Sequence, residues 1–311
     1  MLTIITEPKI YLVGRQQVDE SNLSQFLADH DVSQWTTDTE VGGEKLVEVG
    51  GRLCYVSFAK PRPGGNAAYI KHILEVGHGS VLEHAVFNLI ITGVSRSFTH
   101  ELVRHRAGMG YSQLSQRFVD ESNCSFVMPP LIRDLIDWDN VPSEHGGSID
   151  PEDAEDVDGF CPIWTAWYNA ASVAIKAYEE LETLITTQLI VNEFPRTKWH
   201  DDHGPESFVE LNDAIASIPT ERRTSLRKQV REAARSVLPN ATETKIFVTG
   251  NARALRNFIE MRGDIAADAE IRRVAIAVLR LLQAEAPNLF GDYQIVTTDG
   301  VEHVTTEYRK V

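Results

Sequence analysis

The 311-residue sequence has no long hydrophobic run. No stretch approaches the roughly 18 apolar residues that a membrane-spanning helix needs, so the sequence predicts no membrane span. Its start, MLTIITEPKIYLV, lacks the charged segment, the long apolar run and the cleavage site of a secretory signal peptide. We therefore expect a cytoplasmic protein that does not bind membranes.

Cysteine and metal-binding patterns are also scarce. The three cysteines are Cys54, Cys124 and Cys161. Their spacing fits neither a disulfide framework nor a metal site, which is typical of a reduced compartment. His78 and His84 have no suitably spaced third ligand. His105 follows His100-Glu101 one residue too late for the zinc-protease pattern, which rotates it about 100° off the shared helix face. The sequence predicts no metal site.

Positive charge is in deficit: 30 Lys and Arg stand against 45 Asp and Glu, a formal net charge of −15. Non-specific nucleic-acid binding depends on a basic surface, so we expect no nucleic-acid partner. A glycine-rich GxGxxG pattern after a strand is absent as well, which argues against a Rossmann-type nucleotide site.

Apolar periodicity nevertheless indicates a mixed set of helices and strands. Helices are expected at 23–30, 46–55, 67–76, 96–103, 163–190, 221–238, 250–263 and 271–284. Strands are expected at 9–13, as the first strand, and at 86–94. Between the helices lie an acidic segment at about 134–160 and a polar one at about 192–220, which we interpret as insertions in a single domain over residues 1–311.

One stretch concentrates cationic side chains against this acidic background: residues 99–118, THELVRHRAGMGYSQLSQRF. Its arginines are Arg104, Arg106 and Arg117. Arginine presents a planar fork of donors that fits phosphate or carboxylate, and glycine lets the backbone approach such a ligand closely. From the residues alone, an anionic small-molecule site and a surface ion-pair network remain about equally good interpretations of this stretch.

Three segments together resemble the flavin-dependent thymidylate synthase family. RHR followed by SQLSQRF is similar to the first family signature, with eight residues between Arg106 and Ser115, one more than usual. GNARALRNFIEMRG at 250–263 is similar to the second signature. AARSVLP, which contains Arg235, resembles a segment that lies between them in the family. The order and the spacing of the three make chance agreement a poor explanation.

The resemblance implies an α+β fold with a mixed α/β core and a long helical part. It implies conversion of dUMP to dTMP, with methylenetetrahydrofolate as one-carbon donor and NADPH as reductant through FAD, in a homotetramer with shared active sites. The same scaffold could stop at a hydroxymethylated product. A non-catalytic nucleotide-binding protein is a further alternative. A serine hydrolase, suggested by GYSQL at 110–114, lacks the second glycine of the nucleophile elbow.

Site residues follow from the same resemblance. Contacts to dUMP are implied for Glu101, Arg104, Gln113, Leu114, Ser115, Gln116, Arg117, Arg235 and Arg262. Contacts to FAD are implied for His78, Ser80, Arg104, His105, Arg106, Gln113, Asn251, Arg253 and Asn257. Arg262 is the implied catalytic residue, facing the uracil ring. Glu101 stands where relatives often have Gln, and we expect it to meet a sugar hydroxyl or to orient an arginine.

Overall fold

The computed structural model describes residues 2–60, 62–136, 161–193, 215–216 and 218–309. The chain forms two compact units. The sheet unit comprises Glu7–Gln113 with Thr244–Val311, and the helical unit comprises Met1–Thr6 with Leu114–Glu243. Most of the two predicted insertions lies outside the described residues, and the single domain over 1–311 stays a prediction.

The strands are β1 (Thr3–Ile5), β2 (Lys9–Arg15), β3 (Val86–Ser95), β4 (Met109–Gln113), β5 (Ser125–Val127), β6 (Glu243–Asn251), β7 (Gln294–Thr298) and β8 (Val301–Thr305). The helices are α1 (Glu20–Asp29), α2 (Gly42–Tyr55), α3 (Gly65–Glu75), α4 (Arg96–Leu102), α5 (Pro130–Leu135), α6 (Pro162–Glu193), α7 (Thr220–Ala234), α8 (Ala252–Arg262), α9 (Ala269–Glu285) and α10 (Pro287–Phe290). Short 3-10 helices span Gly79–His84 and Arg235–Val237. Among these described helices, none has the length and apolarity to cross a membrane.

A four-stranded sheet in the order β2-β3-β6-β4 organises the sheet unit. β2 pairs with β3 and β4 with β6, both antiparallel. Phe87, Leu89 and Ile91 are buried because alternate residues of a strand point to the same face. Helices α8 and α9 supply further residues to the same core. The β4–β6 pair joins the two signature segments, since Met109 lies opposite Gly250.

Long helices dominate the helical unit, whose strands β1 and β5 form a parallel pair. Helix α6 buries Trp164, Tyr168 and Tyr178 at helical spacing. Helix α7 buries Leu226 and Val230, and its Arg231, with a side chain only 14% exposed, forms ion pairs with Asp120 and Glu182. The long helical part expected from the sequence is therefore present.

Several sequence-based predictions needed correction. Lys9–Arg15 is a strand as predicted but is not the first, because Thr3–Ile5 precedes it. Met109–Gln113, to which the sequence analysis assigned no helix or strand, is a strand because it pairs with β6, a case of sheet pairing outweighing local propensity. The sequence analysis missed β6 itself and the β7–β8 hairpin. The mixed α/β fold class is confirmed.

Candidate active site

Helix α8 presents residues of the second signature. Asn251 caps the helix, since its side-chain oxygen accepts the Ala254 N–H at 2.8 Å. Leu255, Phe258 and Ile259 are buried because they share one helix face. The less buried positions carry Arg253, Asn257 and Arg262.

Arg262, at the end of this helix, meets the first signature. Its Nε donates to Nε2 of His105 at 3.0 Å. Its Nη1 donates to Oε2 of Glu101 at 2.8 Å, an ion pair whose side chains are 21% and 29% exposed. Three predicted site residues that lie up to 161 positions apart in sequence thus form one cluster.

The imidazole of His105 lies in an environment that disfavours its protonation. Burial lowers its pKa first, because a charged ring is poorly solvated there, and the nearby Arg262 guanidinium lowers that pKa further. A hydrogen bond with Asn257 acts in the opposite direction. The edge of the ring also packs against Phe258, with centroids 5.4 Å apart. His105 is therefore held as a neutral hydrogen-bonding group.

The turn between α4 and β4 carries Arg104 and Arg106, both exposed. The hydroxyl of Tyr111 on β4 lies 3.0 Å from the carbonyl oxygen of Leu102 and 2.6 Å from that of His105. Burial raises the pKa of Tyr111 to about 12, so the phenol remains a hydrogen-bond donor. Strand β4 thereby fixes the start of the arginine-bearing turn.

The end of the same turn borders a cleft of about 380 Å³. The cleft is lined by Glu83, Ala107, Gly108, Asn251, Arg253, Ala254, Asn257 and Glu260. Gly108 has a φ of +70°, and a Cβ on it would lie 2.5 Å from the Asn251 amide nitrogen. Arg253 pairs with Glu83 at 2.7 Å. One cation, two amide side chains and two carboxylates thus line one concave surface.

Gln113 is half-buried, whereas His78 and Ser80, at the start of the 3-10 helix Gly79–His84, are exposed. The Gln113 amide nitrogen donates to Thr99 at 3.1 Å and to Thr244 at 3.2 Å. The His78 ring stacks on Tyr55, with centroids 6.1 Å apart and an interplanar angle of 18°.

The remaining predicted residues belong to the helical unit. The Ser115 hydroxyl accepts the Arg117 N–H at 3.4 Å, and Arg117 forms an exposed ion pair with Glu232 at 2.9 Å. Gln116 is buried, with 5% of its surface exposed. Leu114 and Arg235 are half-buried, and Arg235 begins the 3-10 helix after α7. Arg117 and Glu232 therefore attach the segment after β4 to α7 within this unit.

Similarity to known proteins identifies the chain. The family described as "Thymidylate synthase complementing protein" matches residues 37–288, which include both signatures. The flavin-dependent thymidylate synthase of Mycobacteroides abscessus is 43% identical over 282 residues, 90% of each chain. The chain belongs to the flavin-dependent thymidylate synthase family.

A second relative from the flavin-dependent thymidylate synthase family and a solved structure are also similar to this chain. The enzyme of Mycobacterium sp. strain JLS is 45% identical over 287 residues, 91% of this chain and 92% of the relative. A crystal structure of the UMP/dUMP methylase PolB from Streptomyces cacaoi bound with 5-Br dUMP matches with a TM-score of 0.54 at 17% identity, covering 93% of this chain and 96% of that one. The latter likeness concerns the fold.

Family membership confirms the predicted activity: a flavin-dependent thymidylate synthase, which is a methyltransferase acting on a nucleotide. The sequence analysis missed the supporting residues Tyr111, Thr99 and Thr244. Alternate residues of a strand lie on the same face. A strand predicted over 109–113 would have placed Tyr111 beside Gln113 on one face, and this alternation was the signal in the sequence that could have revealed Tyr111. Within the described ranges no group of three or more His, Cys, Asp or Glu side chains is arranged to hold a metal ion.

Proposed function

We propose that this chain converts dUMP to dTMP, taking a methylene group from methylenetetrahydrofolate and reducing equivalents from NADPH through FAD. The observation that carries the proposal is the contact of Arg262 with Glu101 and His105. It joins the family's two signatures around one half-buried cation, in a chain that resembles this family over nine-tenths of its length.

Binding of dUMP is assigned to residues that, apart from Leu114, carry charged or polar groups suited to a nucleotide monophosphate. Guanidinium groups bind phosphate through paired hydrogen bonds, and amide, carboxylate and hydroxyl groups suit the sugar and the base. The proposed contacts are Glu101, Arg104, Gln113, Leu114, Ser115, Gln116, Arg117, Arg235 and Arg262. Loss of one arginine contact to the phosphate is expected to cost about 1.5–3 kcal/mol of binding free energy.

The cleft beside Gly108 fits a flavin nucleotide in the chemistry of its donors. Asn251 and Asn257 supply amides, and Arg253 supplies a cation that a phosphate would take over from Glu83. The proposed FAD contacts are His78, Ser80, Arg104, His105, Arg106, Gln113, Asn251, Arg253 and Asn257. When bound, a flavin supplies hydride chemistry that side chains lack.

Arg262 is the proposed catalytic residue. A partly desolvated guanidinium acts more strongly on a nearby charge than one in bulk water. Directed at N3 and the adjacent carbonyl of uracil, it would stabilise the negative charge that develops there. That stabilisation would make C5 nucleophilic toward the methylene carbon. The new carbon–carbon bond would form as one carbon–nitrogen bond of the folate's methylene bridge breaks; C5 would then lose its proton, the second carbon–nitrogen bond would break, and the reducing equivalents from NADPH would convert the methylene group to methyl.

A cysteine nucleophile, the usual device of thymidylate synthesis without flavin, has little support in this chain. Burial and the nearby carboxylate of Glu121 raise the pKa of the Cys124 thiol to about 12, so the reactive thiolate is scarce at neutral pH. Cys161 is half-buried and Cys54 is exposed, and no cysteine is among the hydrogen-bond partners of Arg262 in the described residues. Activation of uracil by Arg262 agrees better with these surroundings.

We also propose that the enzyme is a cytoplasmic homotetramer, as the family resemblance implies. Light scattering of the purified protein would give a mass four times that of the chain. A stable monomer or dimer that forms thymidylate at the full rate would contradict the tetramer and leave the reaction unaffected.

The function is tested by leaving out components of the assay one at a time. Thymidylate should form with dUMP, methylenetetrahydrofolate, NADPH and FAD together, and none should form when one of the first three is omitted or when the enzyme has been stripped of FAD. Arg262→Ala should retain flavin, seen by its absorbance, and lose product formation. Arg280→Ala, in an exposed ion pair with Glu302, is the matched control and should behave like wild type. Thymidylate formation without flavin, or at the wild-type rate by Arg262→Ala, would refute the proposal.

A further inference from the structure

We propose that Glu101 and His105 are positioning residues that hold the guanidinium of Arg262 from two sides and leave its Nη2 for the nucleotide. The inference rests on the proposed function only in naming the nucleotide as the ligand. The hold on Arg262 itself is a property of the ligand-free chain.

Two bonds from different parts of the chain fix the guanidinium plane. Nη1 donates to Glu101, which belongs to α4, and Nε donates to His105 in the following turn. Because the guanidinium group is planar, hydrogen bonds at two of its three nitrogens restrict both the rotation of its plane and its displacement relative to α4. Within the described part of the chain, Nη2 makes no hydrogen bond, so its two N–H groups remain for a ligand.

The bond to His105 dictates the protonation state of the ring. An arginine nitrogen can only donate, so Nε2 of His105 must accept and must carry no proton. The proton of the neutral ring then resides on Nδ1. This ring contacts Arg262, Asn257 and Phe258, and Tyr111 binds the His105 carbonyl. Arg262 is the one charged group among them, and Glu101 is its counter-ion.

Glu101 therefore has two separable properties, an acceptor atom and a negative charge. Glu101→Gln keeps an acceptor for Nη1 and removes the charge, whereas Glu101→Ala removes both. Since misplacement of a catalytic group by about 1 Å can cost 10²-fold in rate, we expect Glu101→Ala to lower kcat about 10- to 100-fold. Glu101→Gln should recover most of that loss, and the KM for dUMP should change less than kcat in both variants.

The kinetic test compares Glu101→Ala and Glu101→Gln with Glu302→Ala, which removes an exposed carboxylate in the ion pair with Arg280. A fall in kcat for Glu101→Ala that Glu101→Gln largely restores supports the inference. A rise in the KM for dUMP at unchanged kcat would assign Glu101 to substrate contact alone and overturn its positioning role. Equal losses in both variants would overturn it too.

A second test needs neither ligand nor turnover. The titration of His105 is followed by nuclear magnetic resonance in the ligand-free protein, with His105→Asn identifying its signal. We expect the pKa of His105 to lie below the ordinary histidine value, to rise in Arg262→Gln and to fall in Glu101→Gln, where the guanidinium loses its counter-ion. A His105 titration that is the same in wild type and in Arg262→Gln overturns the inference. Since this experiment does not involve catalysis, a failure of the proposed function would show only in the thymidylate assay.

Discussion

The hydroxyl of Tyr111 lies 2.6 Å from the carbonyl oxygen of His105 and 3.0 Å from that of Leu102. A strand residue thereby holds the end of α4 and the turn that carries Arg104 and Arg106. The side chain is not among the proposed ligand contacts, yet the ligand-binding turn depends on it. Substitutions that remove such support, while leaving every proposed ligand contact in place, offer a direct test of how the site is built.

Tyr111→Phe removes only the hydroxyl. We expect a loss of about 1 kcal/mol in the free energy of unfolding, since one net hydrogen bond disappears, together with several-fold weaker binding of dUMP and FAD. Urea denaturation and calorimetric titration measure the two effects. Tyr11→Phe, at an exposed position of strand β2, is the control and should change neither quantity. If both variants had the same unfolding free energy and the same affinities for dUMP and FAD, Tyr111 would have no supporting role in the ligand-binding turn.

Gly108→Ala tests the close approach of the turn to Asn251. The positive φ of +70° costs a side chain about 1–2 kcal/mol, and the new methyl group would also push Asn251 from its position as the cap of α8. Loss of a cap costs about 1 kcal/mol more. Gly300→Ala, with a φ of +78° and open space around its Cβ position, shows the cost of the φ angle alone. Gly108→Ala should lose more unfolding free energy than Gly300→Ala. It should also lower flavin occupancy, which absorbance measures.

The ion pair of Arg256 with Asp292 anchors helix α8 from its buried side. Its two bonds of 2.6 and 2.8 Å join side chains that are only 2% and 10% exposed. Arg256→Ala should cost about 3–5 kcal/mol of unfolding free energy, because it leaves a buried carboxylate without its partner. Arg280→Ala, in an exposed pair, should cost about 0–1 kcal/mol. Similar midpoints for the two variants in urea would contradict this distinction.

The pH dependence of kcat should report His105. As pH falls through its pKa, the ring gains a proton, loses its acceptor atom and repels Arg262, so kcat should fall on the acid side. Burial and Arg262 lower that pKa from the ordinary histidine value of about 6.5, so the acid limb should lie below pH 6.5. In Glu101→Gln the limb should move to lower pH still. An acid limb above 6.5, or one unaffected by this substitution, would contradict the neutral His105.

The sequence sufficed to predict the family and most helices, since amphipathic spacing and signature residues are local features. It also predicted Arg262 as catalytic. The bond between Arg262 and His105 could not be predicted, because it depends on the pairing of β4 with β6, and strand pairing between distant segments leaves little local trace.

Two particular errors illustrate the limit. No strand was predicted over Met109–Gln113, which contains Gly110, and the segment is a strand because it pairs with β6. β6 itself alternates buried and exposed residues, with Ile246 and Val248 inward, so its pattern was present and was overlooked beside the neighbouring signature. Strand β4 exists because of its tertiary pairing, whereas β6 could have been predicted from the alternation in its own sequence.

The mass of the product made from dUMP, methylenetetrahydrofolate, NADPH and FAD tests the central claim most directly. The account predicts a product with the mass of dTMP, formed by the wild-type chain and not by Arg262→Ala. A product with the mass of the hydroxymethylated nucleotide would contradict the assigned reaction. Binding of FAD and dUMP without any product would contradict the catalytic claim as a whole.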